Sequence, residues 1–254
     1  MVYALLSQPL FLVEDDDRRA FTLRSTSVRM GFNSMNDLNI VQQFSIWMLP
    51  VLLGITVHEV AHGWMAKRLG DPTAFMLGRL TLNPIKHIDP IGTVLVPFVL
   101  LLIGSSFLLG WAKPVPVNFK NLRRPKIDMA LVAAAGPASN LFMAILWAGL
   151  IKIAYLLSSG DVTSLTVRPL IFMGFAGISI NSVLMVLNLL PIPPLDGGRI
   201  LIGLLPEPLA GWLARIEAYG MILLLILLNT MIFGQVIAPL VNLVQETIMS
   251  AILI

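Results

Sequence analysis

The chain has 254 residues, of which 57% are hydrophobic and only 12% are Asp, Glu, Lys or Arg, against about 25% charged residues in a typical soluble domain. That balance, with a mean hydropathy of +0.85, excludes an ordinary cytosolic enzyme and a disordered regulator and identifies an all-α polytopic membrane protein. A net charge of +3 fits Lys/Arg-rich loops that orient a membrane protein rather than a nucleic-acid surface, and zero cysteines exclude disulfides, thiolate catalysis and Cys-ligated metals.

Residues 1–39 stand apart. They hold nine of the charged residues, including Glu14-Asp15-Asp16-Asp17-Arg18-Arg19. The short apolar run Tyr3–Val13 precedes these charges, the reverse of a secretory signal. The segment is expected to be a polar, disordered extension, with a true start at Met30 or Met35 as the alternative to Met1. A membrane domain is expected over 40–254.

The first apolar stretch, Val41–Trp64, is long enough to cross a bilayer and is interrupted only by His58, Glu59 and His62. On a helix, positions i and i+4 stack on one face, so His58 and His62 present two imidazoles to one metal ion. Glu59 projects from the same turn and is suited to take a proton from a metal-activated water. Each ionisable group inside a span costs roughly 2.5–3.5 kcal/mol on insertion scales, so three within about one turn imply a use.

The loop 67–90 carries Lys67, Arg68, Arg79 and Lys86, and the loop 111–128 carries Lys113, Lys120, Arg123, Arg124 and Lys126. The uncharged stretch Ile91–Gly110 between them either crosses the membrane or dips in and returns. Two positive loops belong on one face, which favours the re-entrant course, helped by Pro97 and Gly104-Ser105-Ser106. His87, in the polar part of the first loop, is expected at the surface or interface and is excluded as a ligand.

Gly110-Trp-Ala-Lys113-Pro114-Val115-Pro116-Val117-Asn118 reads as a short β-like loop near 111–118. Its prolines blank one edge, and Lys113, Val115 and Val117 keep donors on the other. That live edge suits an extended substrate peptide, or is simply a protected edge. The third stretch, Met129–Leu157, contains Gly136-Pro137 and Asn140. An amide in a dry span either donates to a developing oxyanion or bonds across helices past Gly136 and Ala138. Asn181 and Asn188, in the uncharged stretch Pro169–Leu190, are expected to bond helix to helix.

That fourth stretch runs into Pro191-Ile-Pro193-Pro194-Leu195-Asp196-Gly197-Gly198. Two imidazoles do not complete a catalytic zinc site, which normally has three protein ligands and an open position. Asp196 is the strongest candidate for the third ligand; its alternative is the N-cap of a helix over 197–205. Gly197 and Gly198 permit positive φ and close backbone approach. A carboxylate with two imidazoles suits zinc above iron or cobalt. A fifth stretch, Tyr219–Val244, is one tilted span or two helices breaking near Gly234. The total is five or six transmembrane or re-entrant helices.

His58-Glu-Val-Ala-His62, Ala135-Gly136-Pro137-Ala-Ser-Asn140 and Leu195-Asp196-Gly197-Gly198, in that order, resemble the site-2 protease family of intramembrane zinc metalloproteases. The resemblance covers about residues 40–232 and the minimal form of the family, without PDZ or CBS module. It implies one zinc ion on His58, His62 and Asp196, Glu59 as general base, and Asn140 at the substrate or oxyanion. It further implies membrane-spanning protein substrates, work within the lipid bilayer, and location in a prokaryotic plasma membrane. The competing reading is a divalent-metal transporter with a His/Asp-lined path. A prenyl-protein protease would use a glutamate as third ligand, and no suitable one follows in the later spans.

Overall fold

The computed structural model describes residues 38–96, 99, 102, 112–158, 167–220 and 233–252. The expected extension over 1–39 lies almost wholly outside them. Helix α1 spans Ile40–Leu69. It starts at a capping box in which the Asn39 side chain accepts from the Gln42 N–H and the Gln42 side chain accepts from the Asn39 N–H, each at 3.0 Å. It stops at Gly70, whose φ of 117° is the left-handed conformation that ends a helix without a Cβ penalty. A single turn, α2 (Thr73–Met76), follows. Two further turns, Pro84–His87 and Pro90–Leu95, lead toward the segment whose course is not described.

Helix α3, Pro125–Leu157, begins with proline at its first position, where the missing N–H costs nothing. Asp128 reaches back to accept from the Arg124 N–H at 2.8 Å. Helix α4, Val167–Asn188, lies at the centre and is buried on most sides. Lipid tails are as apolar as leucine, so close packing rather than water exclusion drives helix association here. A Cβ on Gly177 would collide with the Trp147 ring of α3, and one on Gly174 with Ile151. These glycines let α4 lie against α3, around a core of Trp147, Ile151, Phe172, Phe175 and Ile178. Short helices α5 (Asp196–Leu204) and α6 (Glu207–Ile216) follow. A π-helical turn over Phe233–Ile237 then leads into α7, Ala238–Ile252, whose Ile248 and Met249 join the core.

Among the described residues, four helices are long and apolar enough to cross a membrane: Val41–Leu69, Pro125–Leu157, Val167–Asn188 and Gln235–Ile252. The protein is an all-α membrane protein. The expected stretch Tyr219–Val244 lies partly outside the described residues, which omit 221–232. A π-turn includes Gly234, and the helix beyond it runs on to Ile252, with Gln245 buried and donating to Ser179 Oγ at 3.4 Å.

Among the described residues no strand is present, and the loop 112–118 lies across the end of α1 instead of forming a sheet edge. Two of its three expected free donors are taken: the Lys113 N–H donates to the His87 carbonyl at 2.9 Å, and the Val115 N–H donates to Glu59 at 2.8 Å. The Arg123 N–H also reaches the Leu69 carbonyl at 3.1 Å. These bonds hold the loops 67–90 and 111–128 together near the end of α1. The course of 97–111 itself lies outside the described residues, apart from positions 99 and 102.

Candidate metal centre

His58 lies about 27 Å along α1 from its start, at 1.5 Å per residue. His62 is about 7.5 Å short of Lys67, the first charge at the helix end. The pair thus sits near one end of the apolar span, close to the polar loops. The two Nε2 atoms are 3.0 Å apart, with the rings edge to face. Asp196 Oδ2 lies 3.3 Å from each. Asp196 is the first residue of α5, whose N-cap is Leu195, and its side chain caps nothing. The N-cap alternative is thereby excluded: the carboxylate faces the imidazoles.

The approach of Asp196 depends on its two glycines, but not through positive φ, which neither adopts. A Cβ on Gly197 would strike the carbonyls of Leu189 and Leu190, and one on Gly198 the backbone of Pro193. The turn after α4, which contains the cis Pro193–Pro194 peptide, folds so tightly back on α5 that no side chain fits there. Gly203 lets α5 cross the start of α3, where a Cβ would lie 2.7 Å from Ala130.

Backbone carbonyls dictate the histidine tautomers. The Val132 carbonyl can only accept, so His62 Nδ1 donates to it at 2.8 Å. For His58 the logic runs through two amides. Asn181 Nδ2 donates to the Gly177 carbonyl at 2.8 Å, which turns Asn181 Oδ1 toward Asn140. Asn140 Nδ2 then donates to Asn181 Oδ1 at 3.0 Å and to the Gly54 carbonyl at 3.2 Å. This leaves Asn140 Oδ1 to accept from His58 Nδ1 at 2.6 Å. With both Nδ1 atoms protonated, neutral rings turn bare Nε2 lone pairs inward.

Three lone pairs thus converge, and Asp196 Oδ2 is buried with no hydrogen-bond donor. Such an arrangement repels itself unless a cation sits among the atoms. Bonds of about 2.0–2.1 Å at a tetrahedral angle place ligand atoms about 3.3 Å apart, close to the distances found. Gly136 of α3 completes the fit. A Cβ there would lie 2.5 Å from His62 and 2.6 Å from His58, so only glycine lets α3 close over both rings. The donor set and spacing fit zinc.

Asn140, which the family resemblance places at the substrate or oxyanion, is engaged here by the neighbouring helices. It is fully buried, and both of its amide hydrogens are given to Gly54 and Asn181. Asn181 does bond across helices, whereas Asn188 donates within α4 to the Leu184 carbonyl at 2.9 Å. His87 is buried rather than superficial, because its Nε2 bonds the Thr81 carbonyl at 2.9 Å. It is not in the metal-ligating group, which comprises His58, His62 and Asp196 among the described residues. The carbonyls of Val132 and Gly54 carried no sequence signal, since a backbone group reads the same in any residue, whereas Pro114 and Pro116 marked Val115 as a donor without showing its partner. Asn181, polar in an otherwise apolar stretch, was a further visible cue.

Beyond the span, Asp71 ties α1 to the loop over it. Its Oδ2 accepts from the Asn118 N–H at 2.7 Å, and its Oδ1 accepts from Thr73 and, at 3.0 Å, from Asn121. Burial pushes the Asp71 carboxyl up, but the hydrogen bonds from Thr73, Asn121 and Asn118 outweigh it and hold the group below its ordinary value.

A family model described as Peptidase family M50 matches residues 146–228. The chain is 37% identical over 202 residues to YwhC of Bacillus subtilis (strain 168), covering 80% of this chain and 88% of that protein. YwhC is assigned by its name to the zinc metalloproteases. Rip2 of Mycolicibacterium smegmatis, named in the same terms, is 30% identical over 78% of this chain and 72% of its own length. Rip2 of Mycobacterium tuberculosis (strain ATCC 25618 / H37Rv) is 32% identical over 73% of this chain and 69% of its own length. No solved structure matches the chain.

Proposed function

This chain belongs to peptidase family M50, the site-2 protease family, and on that footing we propose that it cuts the peptide bonds of membrane-spanning proteins within or beside the bilayer. It is a zinc-dependent metalloprotease and a membrane protein. The observation that carries the finer reading is the convergence of His58 Nε2, His62 Nε2 and Asp196 Oδ2, 3.0–3.3 Å apart, near the end of an apolar span. These three would hold the zinc. When bound, zinc supplies Lewis acidity, making water nucleophilic near neutral pH and polarising a peptide carbonyl.

Glu59 is the base in this reading. It accepts the proton of the attacking water and returns it to the departing amine. Asn140 and the Val132 carbonyl are positioning groups: each holds one ligand imidazole in the tautomer that leaves Nε2 free. Water reaches Glu59 from the face of the positive loops, which lie over the end of α1. The bacterial relatives support a plasma-membrane location. Metal transport does not follow from membership of a peptidase family.

The test is Glu59→Gln, which preserves shape and removes the proton acceptor. In native membranes the variant is expected to retain zinc and to co-purify with uncut membrane-spanning proteins, identified by mass spectrometry. In proteoliposomes its turnover should fall by about 10²–10⁴-fold. A zinc-loaded Glu59→Gln enzyme that cleaves at the wild-type rate would refute the assignment.

A further inference from the structure

The Glu59 carboxylate is not free to rotate. Its Oε2 accepts the Val115 N–H at 2.8 Å, and Val115 is itself buried. Pro114 and Pro116 on either side have no N–H, so Val115 supplies the single backbone donor of the three-residue stretch. Proline also fixes its own φ and confines the residue before it, which limits how far the Val115 amide can swing.

The loop is anchored on both sides of that amide. The Lys113 N–H donates to the His87 carbonyl at 2.9 Å, and Arg79 Nη2 donates to the Lys113 carbonyl at 3.0 Å. Three residues beyond, the Asn118 N–H is held by Asp71. The Val115 side chain packs so closely on α1 that a Cβ at Gly63 would lie 2.7 Å from it. The donor is therefore pinned to the same helix that carries Glu59.

We propose that the Val115 backbone N–H positions the catalytic carboxylate, tethering one oxygen of Glu59 so that the other is presented to the reacting water. A charged acceptor makes this a strong hydrogen bond, and a carboxylate with one oxygen fixed keeps the remaining oxygen in one direction. Val115 is a positioning residue, because it acts through Glu59. The inference rests on the assignment of Glu59 as the base.

Val115→Pro tests it by deleting one hydrogen while keeping an extended backbone. The assay is cleavage of a dye-labelled single-span peptide by full-length enzyme in proteoliposomes, with zinc per chain measured on the same sample. The expected result is a kcat lower by about 10–100-fold, part of the 10²–10⁴-fold that a general base supplies, with KM and zinc content near wild type. Val115→Ala, which restores the N–H, should recover most of that loss. A loop that merely docks the peptide would move KM instead, and a loop that plugs the site would give a higher kcat; either result overturns the proposal, as does an unchanged kcat. Should Val115→Pro lose zinc through misfolding, an amide-to-ester replacement of the Pro114–Val115 bond removes the same donor without the ring and decides by the same criteria. If Glu59→Gln is inactive while both Val115 changes run at wild-type kcat, only this inference falls. If Glu59→Gln is fully active, the base assignment falls with it.

Discussion

The two halves of the site are held by different means. The ligand half is dry: His58 and His62 are fixed by Asn140, Asn181 and the carbonyls of Val132, Gly54 and Gly177, all on α1, α3 and α4. The half that carries the proposed base is polar: Glu59 meets a loop anchored by Asp71 just beyond the end of the span. Inside the span, no water replaces a lost hydrogen bond, so each group must find a protein partner, and carbonyls that can only accept make the pattern one-directional. Near the end of the span charge is tolerated, and a carboxylate is held by one anchored backbone amide. In the proposed mechanism the buried network thus holds the ligand rings, and the loop amide holds Glu59.

Substitutions on the dry side should have the larger effects. Gly136→Ala places a methyl group against both ligand rings, and the rings cannot move without breaking their bonds to Asn140 and Val132. Zinc affinity, measured by chelator competition, is expected to fall by about 100-fold or more, the upper end of what outer-shell changes produce. Wild-type affinity would show that α3 does not close over the rings.

A graded pair sharpens the carbonyl-directed relay. Asn140→Leu removes the acceptor on His58 and should weaken zinc binding by about 10–100-fold. Asn181→Leu leaves that acceptor in place but frees the Asn140 amide to turn, so its loss should be about tenfold or less. Equal losses, or a larger loss at Asn181, would break the proposed order of dependence.

The smallest effect is expected on the polar side. Asp71→Asn weakens charge-assisted bonds to the loop, each worth about 1.5–3 kcal/mol at most. It should speed hydrogen exchange at the Asn118 amide while leaving zinc affinity near wild type. The pH dependence has a definite sign. Because folding lowers the Asp71 carboxyl below its ordinary value of 3.8, its contribution is complete above that value. It is lost as pH falls through the lower folded value. Exchange at Asn118, corrected for its intrinsic pH dependence, should stay protected down to about pH 4 and open only in stronger acid. Opening near pH 6 would point to a different anchor.

Much of this was determined along the chain itself. Charge scarcity and apolar stretches of about 20 residues dictate a membrane protein, and an i, i+4 histidine pair with an adjacent glutamate on one helix dictates half a metal site, because both follow from local periodicity. The prolines before Asp196 and the glycines after it marked where a third ligand can enter. Only the tertiary structure decided the remainder. It turned Asp196 toward the imidazoles rather than the helix end, set Gly136 against the rings, engaged both hydrogens of Asn140, and closed the 112–118 loop over Glu59. In each instance the deciding partner is a backbone group or a surface brought from a distant part of the chain. A carbonyl or an amide hydrogen has the same letter-free identity everywhere, so its place is known only once the helices have packed.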